Sequence, residues 1–222
     1  MDIARTPDHS RSSFARTNTH TISQRVALLR KLAPEARSVA EVCGGDCSDQ
    51  AGAYRRDLGI ERFLAIDIDP AVATQNRQRG LPTLCGDALD AKAMAILTEF
   101  DVVFFGPPLS EECDGHRGLD FDEVRPGFAD FARLLIGDLA YDGLFVCIGP
   151  RTTDMGDIRK LHGTMQAIRP DFGLALIHHS FSSLTSRGEK TEPRCKYIEL
   201  WFSTKLGDRW QVHESLDANA PV

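Results

Sequence analysis

What this sequence of 222 residues lacks already excludes several classes of protein. It has no apolar run near the roughly 18 residues that a membrane-spanning helix needs. Its first 20 residues are polar and rich in Ser, Thr and Arg, without the apolar segment of a secretion signal. We therefore expect a cytoplasmic protein that makes no use of a membrane.

Paired cysteines are also lacking. The chain has six cysteines, but Cys43 and Cys47 are not followed by a second pair at the spacing of a zinc site. Cys43, Cys85 and Cys147 lie in or beside apolar segments, where a free cysteine behaves as a small hydrophobic residue. We expect neither a disulfide framework nor a bound metal.

Positive charge is not in excess. Lys and Arg total 26 against 32 Asp and Glu, which gives a formal net charge of -6. Proteins that grip bulk nucleic acid usually carry a basic surplus, because they neutralise phosphates. The charge of the whole chain therefore does not indicate non-specific binding to DNA or RNA.

Short apolar segments alternate with segments of helical character along most of the chain. Strands are predicted at 38–42, 63–66, 83–85, 101–105, 144–148, 174–181 and 195–203. Helices are predicted at about 22–32, 49–58, 70–79, 91–99, 127–139 and 155–168, the first with Thr21 as its N-cap. The last two strands follow each other without a helix, which favours antiparallel pairing. The pattern predicts an α/β fold: a doubly wound, mostly parallel seven-stranded sheet with an antiparallel C-terminal strand pair.

The apolar strand at 101–105 ends abruptly at Gly106-Pro107-Pro108-Leu109. Two prolines cannot continue a central strand, because neither donates a hydrogen bond to its neighbour. The same pattern is also typical of an ordinary turn after a strand. In open α/β sheets, however, ligands bind beyond the carboxyl ends of the strands. Two more strand ends carry acidic residues there, Asp67 and Asp87.

Taken together, four strand ends resemble the motifs of the class I S-adenosylmethionine-dependent methyltransferases. The segment Glu41-Val42-Cys43-Gly44-Gly45-Asp46-Cys47 is similar to a first motif of the type Glu-Pro-x-Ala-Gly-x-Gly, with Gly44 in place of Ala and Cys47 in place of the last glycine. Asp67 and Asp87 match the second and third acidic positions. Gly106-Pro107-Pro108-Leu109 stands where the amino-methyltransferase branch has Asn-Pro-Pro-aromatic. The resemblance covers roughly residues 38–150 and is carried by the order and spacing of the motifs.

The resemblance implies S-adenosyl-L-methionine as the cofactor. The acidic residue after the second strand would accept hydrogen bonds from the ribose diol, and Asp87 would accept one from the adenine amine. The cofactor-binding residues that it implies are Glu41, Cys43, Gly44, Gly45, Asp46, Asp67, Ile68, Asp87, Ala88 and Phe105. The catalytic segment that it implies consists of Gly106, Pro107, Pro108 and Leu109.

Two departures from the branch concern the methyl acceptor. Gly106 has no side chain to accept a hydrogen bond from a target amine, and Leu109 cannot stack on a base as an aromatic residue would. The backbone carbonyls of Gly106 and Pro107 keep their acceptor capacity. Candidates for a general base follow the turn at Glu111, Glu112, Asp114 and His116, although a solvated acidic loop is the favoured interpretation.

The predicted function is transfer of a methyl group to a nitrogen of a nucleic-acid base, in RNA or DNA. Two alternatives stay open: a methyltransferase acting on a small-molecule metabolite, and a catalytically silent protein that only binds S-adenosylmethionine. A nicotinamide-dependent dehydrogenase is disfavoured, because the loop after the first strand lacks G-x-G-x-x-G. The predicted organisation is an N-terminal arm and helix at 1–35, the methyltransferase domain at 36–205 and a C-terminal tail at 206–222.

Overall fold

The computed structural model describes residues 17, 19–107, 126–150, 153–184, 190–206 and 210–216. The side chains at 150, 182–184, 190–197 and 215–216 are outside that description. Within it, no helix is both long enough and apolar enough to cross a bilayer.

Strands and helices alternate in the described chain as the sequence predicts. The strands are β1 Ser38–Val42, β2 Arg62–Asp67, β3 Thr83–Cys85, β4 Val102–Phe105, β5 Leu144–Pro150, β6 Gly173–Leu184, β7 Lys190–Ser203 and β8 Gln211–Leu216. The helices are α1 Thr19–Leu32, α2 Ser48–Leu58, α3 Pro70–Gln78, α4 Ala91–Leu97, α5 Phe128–Ala132 and α6 Met155–Ile168. Helix α5 continues as a π-helical segment at Arg133–Asp138.

The strands form one sheet in the order β3-β2-β1-β4-β5-β7-β6-β8. Strands β1 to β5 are parallel, while β7 lies antiparallel to both β5 and β6. The predicted α/β fold with an antiparallel C-terminal strand pair is confirmed. The sheet has one strand more than predicted, because Gln211–Leu216 in the predicted tail pairs in parallel with β6. This edge strand lacks the apolar run that identifies the buried strands, and its Val212 is 61% exposed.

Helices cover both faces of the sheet, and successive residues of the central strand β4 point to opposite sides. Phe104 stacks on Tyr54 of α2 with 6.1 Å between ring centroids. Phe105 stacks on Phe131 of α5 at 4.2 Å. Because both faces are covered, β4 needs apolar residues at every position, which explains its unbroken Val and Phe run.

The first helix begins earlier than predicted and packs closely on the sheet. It starts at Thr19, so Thr21 is not its N-cap. The Thr21 side chain is instead buried, with its hydroxyl 3.1 Å from that of Ser180 in β6. Ile22, Val26 and Leu29 are buried as their helical spacing predicts.

Arg25 of α1 is only 2% exposed and lies between two carboxylates from distant strands. Its Nε donates to Oε1 of Glu199 in β7 at 2.6 Å. One terminal nitrogen lies 3.6 Å from Oε1 of Glu41 in β1. The guanidinium also lies over the Phe104 ring, 4.9 Å from its centroid. One side chain therefore connects α1 to the first strand, the central strand and a C-terminal strand of the sheet.

The two glutamates beside Arg25 titrate in opposite directions. Burial raises the pKa of Glu41, and the nearby Arg25 charge and the hydrogen bond from Tyr54 offset this only in part. Burial also acts to raise the pKa of Glu199, but Arg25 and His178 outweigh it and the pKa is lowered. Glu199 is therefore the ionised partner of Arg25, and Glu41 holds its proton more readily.

We expect Glu199→Gln and Glu41→Gln to change stability unequally. At pH 7 Glu199→Gln should lower the free energy of unfolding by about 3 kcal/mol, because it leaves a buried arginine without its ion-pair partner. This loss should shrink at acid pH, since a lowered folded pKa gives stability that disappears as the pH falls. Glu41→Gln should cost little at pH 7, because a raised folded pKa gives stability only at low pH. Urea denaturation at pH 7 and at about pH 3, below the ordinary glutamate pKa, measures both, and equal losses at pH 7 would contradict the assignment.

Candidate functional site

The carboxyl ends of four neighbouring parallel strands lie level at one edge of the sheet. Val42 pairs with Phe105 on one side and with Ile66 on the other, and Asp67 pairs with Cys85. The predicted cofactor residues either end these strands or directly follow them. The fold therefore brings together residues as far apart in the sequence as Glu41 and Phe105, which are 64 positions apart.

The loop after β1 is fixed between the two neighbouring strands. Cys43 donates its backbone N–H to the Ile66 carbonyl at 2.8 Å, and Gly106 donates to the Val42 carbonyl at 2.9 Å. Gly45 has φ +63°, which glycine adopts without strain. Cys43 has φ +56°, where a side chain costs roughly 1–2 kcal/mol. The loop is therefore held in a conformation that its sequence only partly favours.

Gly44 is required by close packing inside the loop itself. A Cβ at this position would lie 2.8 Å from Cys47 Sγ and 3.3 Å from Glu41 Cβ. Cys47 is fully buried and stands where the resembling motif has its last glycine. Gly44 stands where that motif has Ala. The two departures compensate each other, because the Cys47 thiol fills the space that an alanine side chain would need.

Asp46 has both carboxylate oxygens engaged by the chain's own donors. Oδ1 accepts from the Ser48 backbone N–H at 3.2 Å and its hydroxyl at 2.7 Å, and Oδ2 accepts from Arg79 after α3. Burial opposes ionisation, but the hydrogen bonds from Arg79 and Ser48 hold the pKa of Asp46 at about 2. The contact of Asp46 with a cofactor stays a prediction. In the structure, Asp46 joins the loop to the end of α3 through Arg79.

Asn76 of α3 supports the same loop and was not foreseen from the sequence. Its side-chain nitrogen donates to the Gly45 carbonyl at 2.9 Å, and its oxygen accepts from the Cys47 backbone N–H at 3.3 Å. The residue is fully buried. An asparagine in the middle of a helix gives no local signal of this role, because its partners lie 29 and 31 positions away.

Asp67, Asp87 and Cys43 come together at the sheet edge. Burial raises the pKa of Cys43 to about 12, and the charges of Asp67 and Asp87 add to this effect. Burial likewise raises the pKa of Asp67, although backbone N–H groups of Asp69 and Gly45 donate to its carboxylate. The thiol of Cys43 is therefore neutral and is no nucleophile at physiological pH.

Ile68 exposes an apolar side chain beside these carboxylates. It is 66% exposed, directly after Asp67. Asp87 is exposed, and its Oδ1 accepts from the Leu89 backbone N–H at 2.9 Å. Ala88 is buried beneath this turn. Such an edge offers apolar contact for a ring next to acceptors for its polar groups.

Two predicted cofactor residues have side chains that face the core. Phe105 is fully buried against Phe131, so any contact with a ligand is left to its backbone. Glu41 is 1% exposed and faces Arg25 and Tyr54. Their roles toward a cofactor remain predictions, restricted by this geometry.

Gly106 lies against Ile148 of β5, which the sequence did not single out. A Cβ at Gly106 would lie 3.3 Å from Ile148 Cδ1 and 3.8 Å from the Cys43 carbonyl oxygen. The isoleucine thus takes up part of the space that a side chain at 106 would enter. Pro107 is buried, whereas Pro108, Leu109 and the candidate bases at 111–116 lie outside the described residues.

The comparisons with known proteins find the fold but no close relative. No protein-family model and no curated protein match the chain. A proposed RNA methyltransferase from Pyrococcus horikoshii aligns with a TM-score of 0.55 at 16% identity, over 85% of this chain and 86% of that one. The methyltransferase subunit of a type I restriction-modification system from Streptococcus thermophilus gives 0.53 at 13% identity, over 91% and 47%. A Thermoplasma acidophilum protein gives 0.53 at 13% identity, over 82% and 88%.

The fold is that of the Rossmann-like methyltransferases. At these identities the likeness concerns the fold alone. At the described edge, an exposed apolar side chain and hydrogen-bond acceptors lie side by side. Ile68 offers the apolar contact, Asp67 and Asp87 offer acceptors, and the buried Gln50 of α2 has an amide oxygen without a donor among the described residues.

We expect Gly44→Ala to destabilise the protein by about 1–3 kcal/mol, because it overpacks the loop against Cys47. Cys47→Ala alone should also destabilise the protein, because it leaves a small cavity at a buried position. The double variant should lose less than the sum of the two, because each change relieves the other. A double-mutant cycle from urea denaturation measures this coupling, and strictly additive losses would show that the two residues are independent.

Proposed function

We propose that the chain is a cytoplasmic S-adenosyl-L-methionine-dependent methyltransferase that methylates a nitrogen of a nucleic-acid base in RNA or DNA. The observation that supports it most is the meeting of Asp67, Asp87 and Cys43 at the carboxyl edge of the sheet, beside the exposed Ile68. The methyltransferase fold agrees with this proposal. RNA as the acceptor is supported by the likeness in fold to the proposed RNA methyltransferase from Pyrococcus horikoshii.

The residues at the edge would bind and orient the cofactor. Asp67 would accept hydrogen bonds from the two ribose hydroxyls, and Asp87 from the adenine amine, while Ile68 would contact the ring. When bound, the cofactor supplies a methyl group on a sulfonium, which needs alignment rather than activation. Alignment of reacting groups contributes roughly 7–11 kcal/mol in favourable cases. A rigid loop, tied by Asp46 and Asn76, serves this purpose.

The acceptor would lie at Gly106 and Pro107, where β4 ends at the centre of the sheet. The carbonyl oxygens of these two residues would accept a hydrogen bond from an amine and so orient its nitrogen. Neither Gly106 nor Pro107 has a polar side chain that could replace the Asn of the resembling branch.

A small-molecule acceptor is the second candidate, and the contact between Gly106 and Ile148 favours it. The Ile148 side chain lies 3.3 Å from the position of a Cβ at Gly106, so the surface next to the proposed acceptor position is apolar there. An apolar surface contributes van der Waals contact but no hydrogen bond to the edge of a base. The acceptor would then carry its own polar group for orientation.

We expect Asp67→Ala to weaken binding of S-adenosylhomocysteine by a good part of the roughly 1.5–3 kcal/mol of hydrogen bonds to a charged group. Isothermal titration calorimetry measures this. Asp90→Ala is the matched control, because Asp90 caps α4 through Lys92 N–H and should affect only stability. Unchanged affinity in Asp67→Ala, or equally tight binding of NAD by the wild type, would contradict the proposed cofactor.

We expect Gly106→Asn to reduce methyl transfer while leaving the affinity for S-adenosylhomocysteine unchanged, because the new side chain lies on the acceptor side against Ile148. Transfer of labelled methyl groups into total RNA, DNA and small-molecule extract measures this. Gly52→Asn on α2 is the control, since a side chain there meets open space. Label in RNA or DNA supports the base as acceptor, label in the small-molecule extract supports the second candidate, and no label from the wild type would show a silent binder.

A further inference from the structure

Gln50 in the first turn of α2 is 1% exposed, yet its amide oxygen has no hydrogen-bond partner among the described residues. Its amide nitrogen donates to the Thr17 hydroxyl at 2.7 Å, so the side chain is held by a residue that precedes α1. Buried polar atoms in folded proteins nearly always have partners. A donor for this oxygen is therefore to be sought in a ligand.

The orientation of α2 places Gln50 beside the loop that follows β1. Tyr54 lies one helical turn after Gln50, on the same face of the helix. The Tyr54 hydroxyl donates to Glu41 Oε1 at 3.2 Å, and the other oxygen of Glu41 lies 3.4 Å from where a Cβ at Gly44 would be. The face of α2 that carries Gln50 therefore meets the loop and the end of β1.

The surroundings of Gln50 favour a cation over an anion. Two backbone N–H groups at the start of α2 are already used, since Cys47 donates to Asn76 and Ser48 donates to Asp46. An anion would find these donors occupied. An amide oxygen is itself only an acceptor, so its partner must be a group that donates a hydrogen bond. A positively charged group with N–H donors matches this chemistry.

We propose that Gln50 accepts a hydrogen bond from the ammonium group of the amino-acid part of the cofactor, with Thr17 holding the amide in place. The proposal rests on the proposed function. It divides recognition between two ends of the site: Asp67 and Asp87 bind the adenosine half, and Gln50 binds the amino-acid half. Gln50 then distinguishes the cofactor from nucleosides that lack the amino acid.

The test compares two ligands by calorimetry. S-adenosylhomocysteine carries the ammonium group, and 5′-methylthioadenosine shares the adenosine and sulfur but lacks the amino acid. Gln50→Leu should weaken S-adenosylhomocysteine binding roughly tenfold or more, which is the range for a hydrogen bond to a charged group. It should leave 5′-methylthioadenosine binding unchanged. Gln50→Glu keeps an acceptor oxygen and should retain the preference for S-adenosylhomocysteine, which covers the case that Gln50→Leu does not fold.

Gln166→Leu is the matched control, because this glutamine of α6 donates to the Phe172 carbonyl at 3.3 Å and lies on another element. It should leave both affinities unchanged. The role of Gln50 is overturned if Gln50→Leu leaves both affinities unchanged or lowers both equally. In either case the proposed function stands, provided that the wild type binds both ligands. If the wild type binds neither ligand, the proposed function and the role of Gln50 fail together.

Discussion

The contact between Arg25 and Glu199 joins the first helix to a C-terminal strand, across 174 positions of the sequence. A charged pair without exposure to solvent is stable only when its geometry is good and its remaining groups are hydrogen-bonded. Around Arg25, the Phe104 ring lies below the guanidinium and Glu41 lies beside it at 3.6 Å. The three contacts of Arg25 form together only when β1, β4 and β7 lie in their final order. The arginine thus favours one arrangement of the strands over others of similar hydrophobicity.

The same network reaches the loop at the carboxyl edge. Glu41 contacts Arg25 through Oε1 and lies next to Gly44, so the loop rests on a side chain that is also part of the buried network. On its other side the loop is tied to α3 by Asn76 and by the pairing of Asp46 with Arg79. The positive φ of Cys43 is held by these contacts, since nothing in a cysteine favours it. Rigidity of the edge is therefore a result of the whole fold.

The bounds of helices and strands could be predicted wherever residues that typically end such elements lie close to them. β1, β3 and α6 have the predicted bounds, because Gly, Asp or Pro stands close to their ends. β8 could not be predicted, since an edge strand with an exposed valine needs no apolar run and depends on pairing with β6. Arg25 gave no signal either: on an amphipathic helix an arginine is normally solvated, and only the distant Glu199 explains its burial.

At the candidate site, the sequence predicts which strand ends meet at one edge, whereas it does not show which helix residues support that edge. Asp67 and Asp87 were predictable because their strands end at one edge, whatever else the chain does. Asn76 and Arg79 support the loop at that edge from the end of α3, where their neighbours in space are not their neighbours in sequence. The acceptor side shows the same division. The end of β4 at Gly106 was predictable, but its close approach to Ile148 of the adjacent strand was not. With the acceptor at Gly106, as proposed, the space open to it depends on this pair and not on the turn alone.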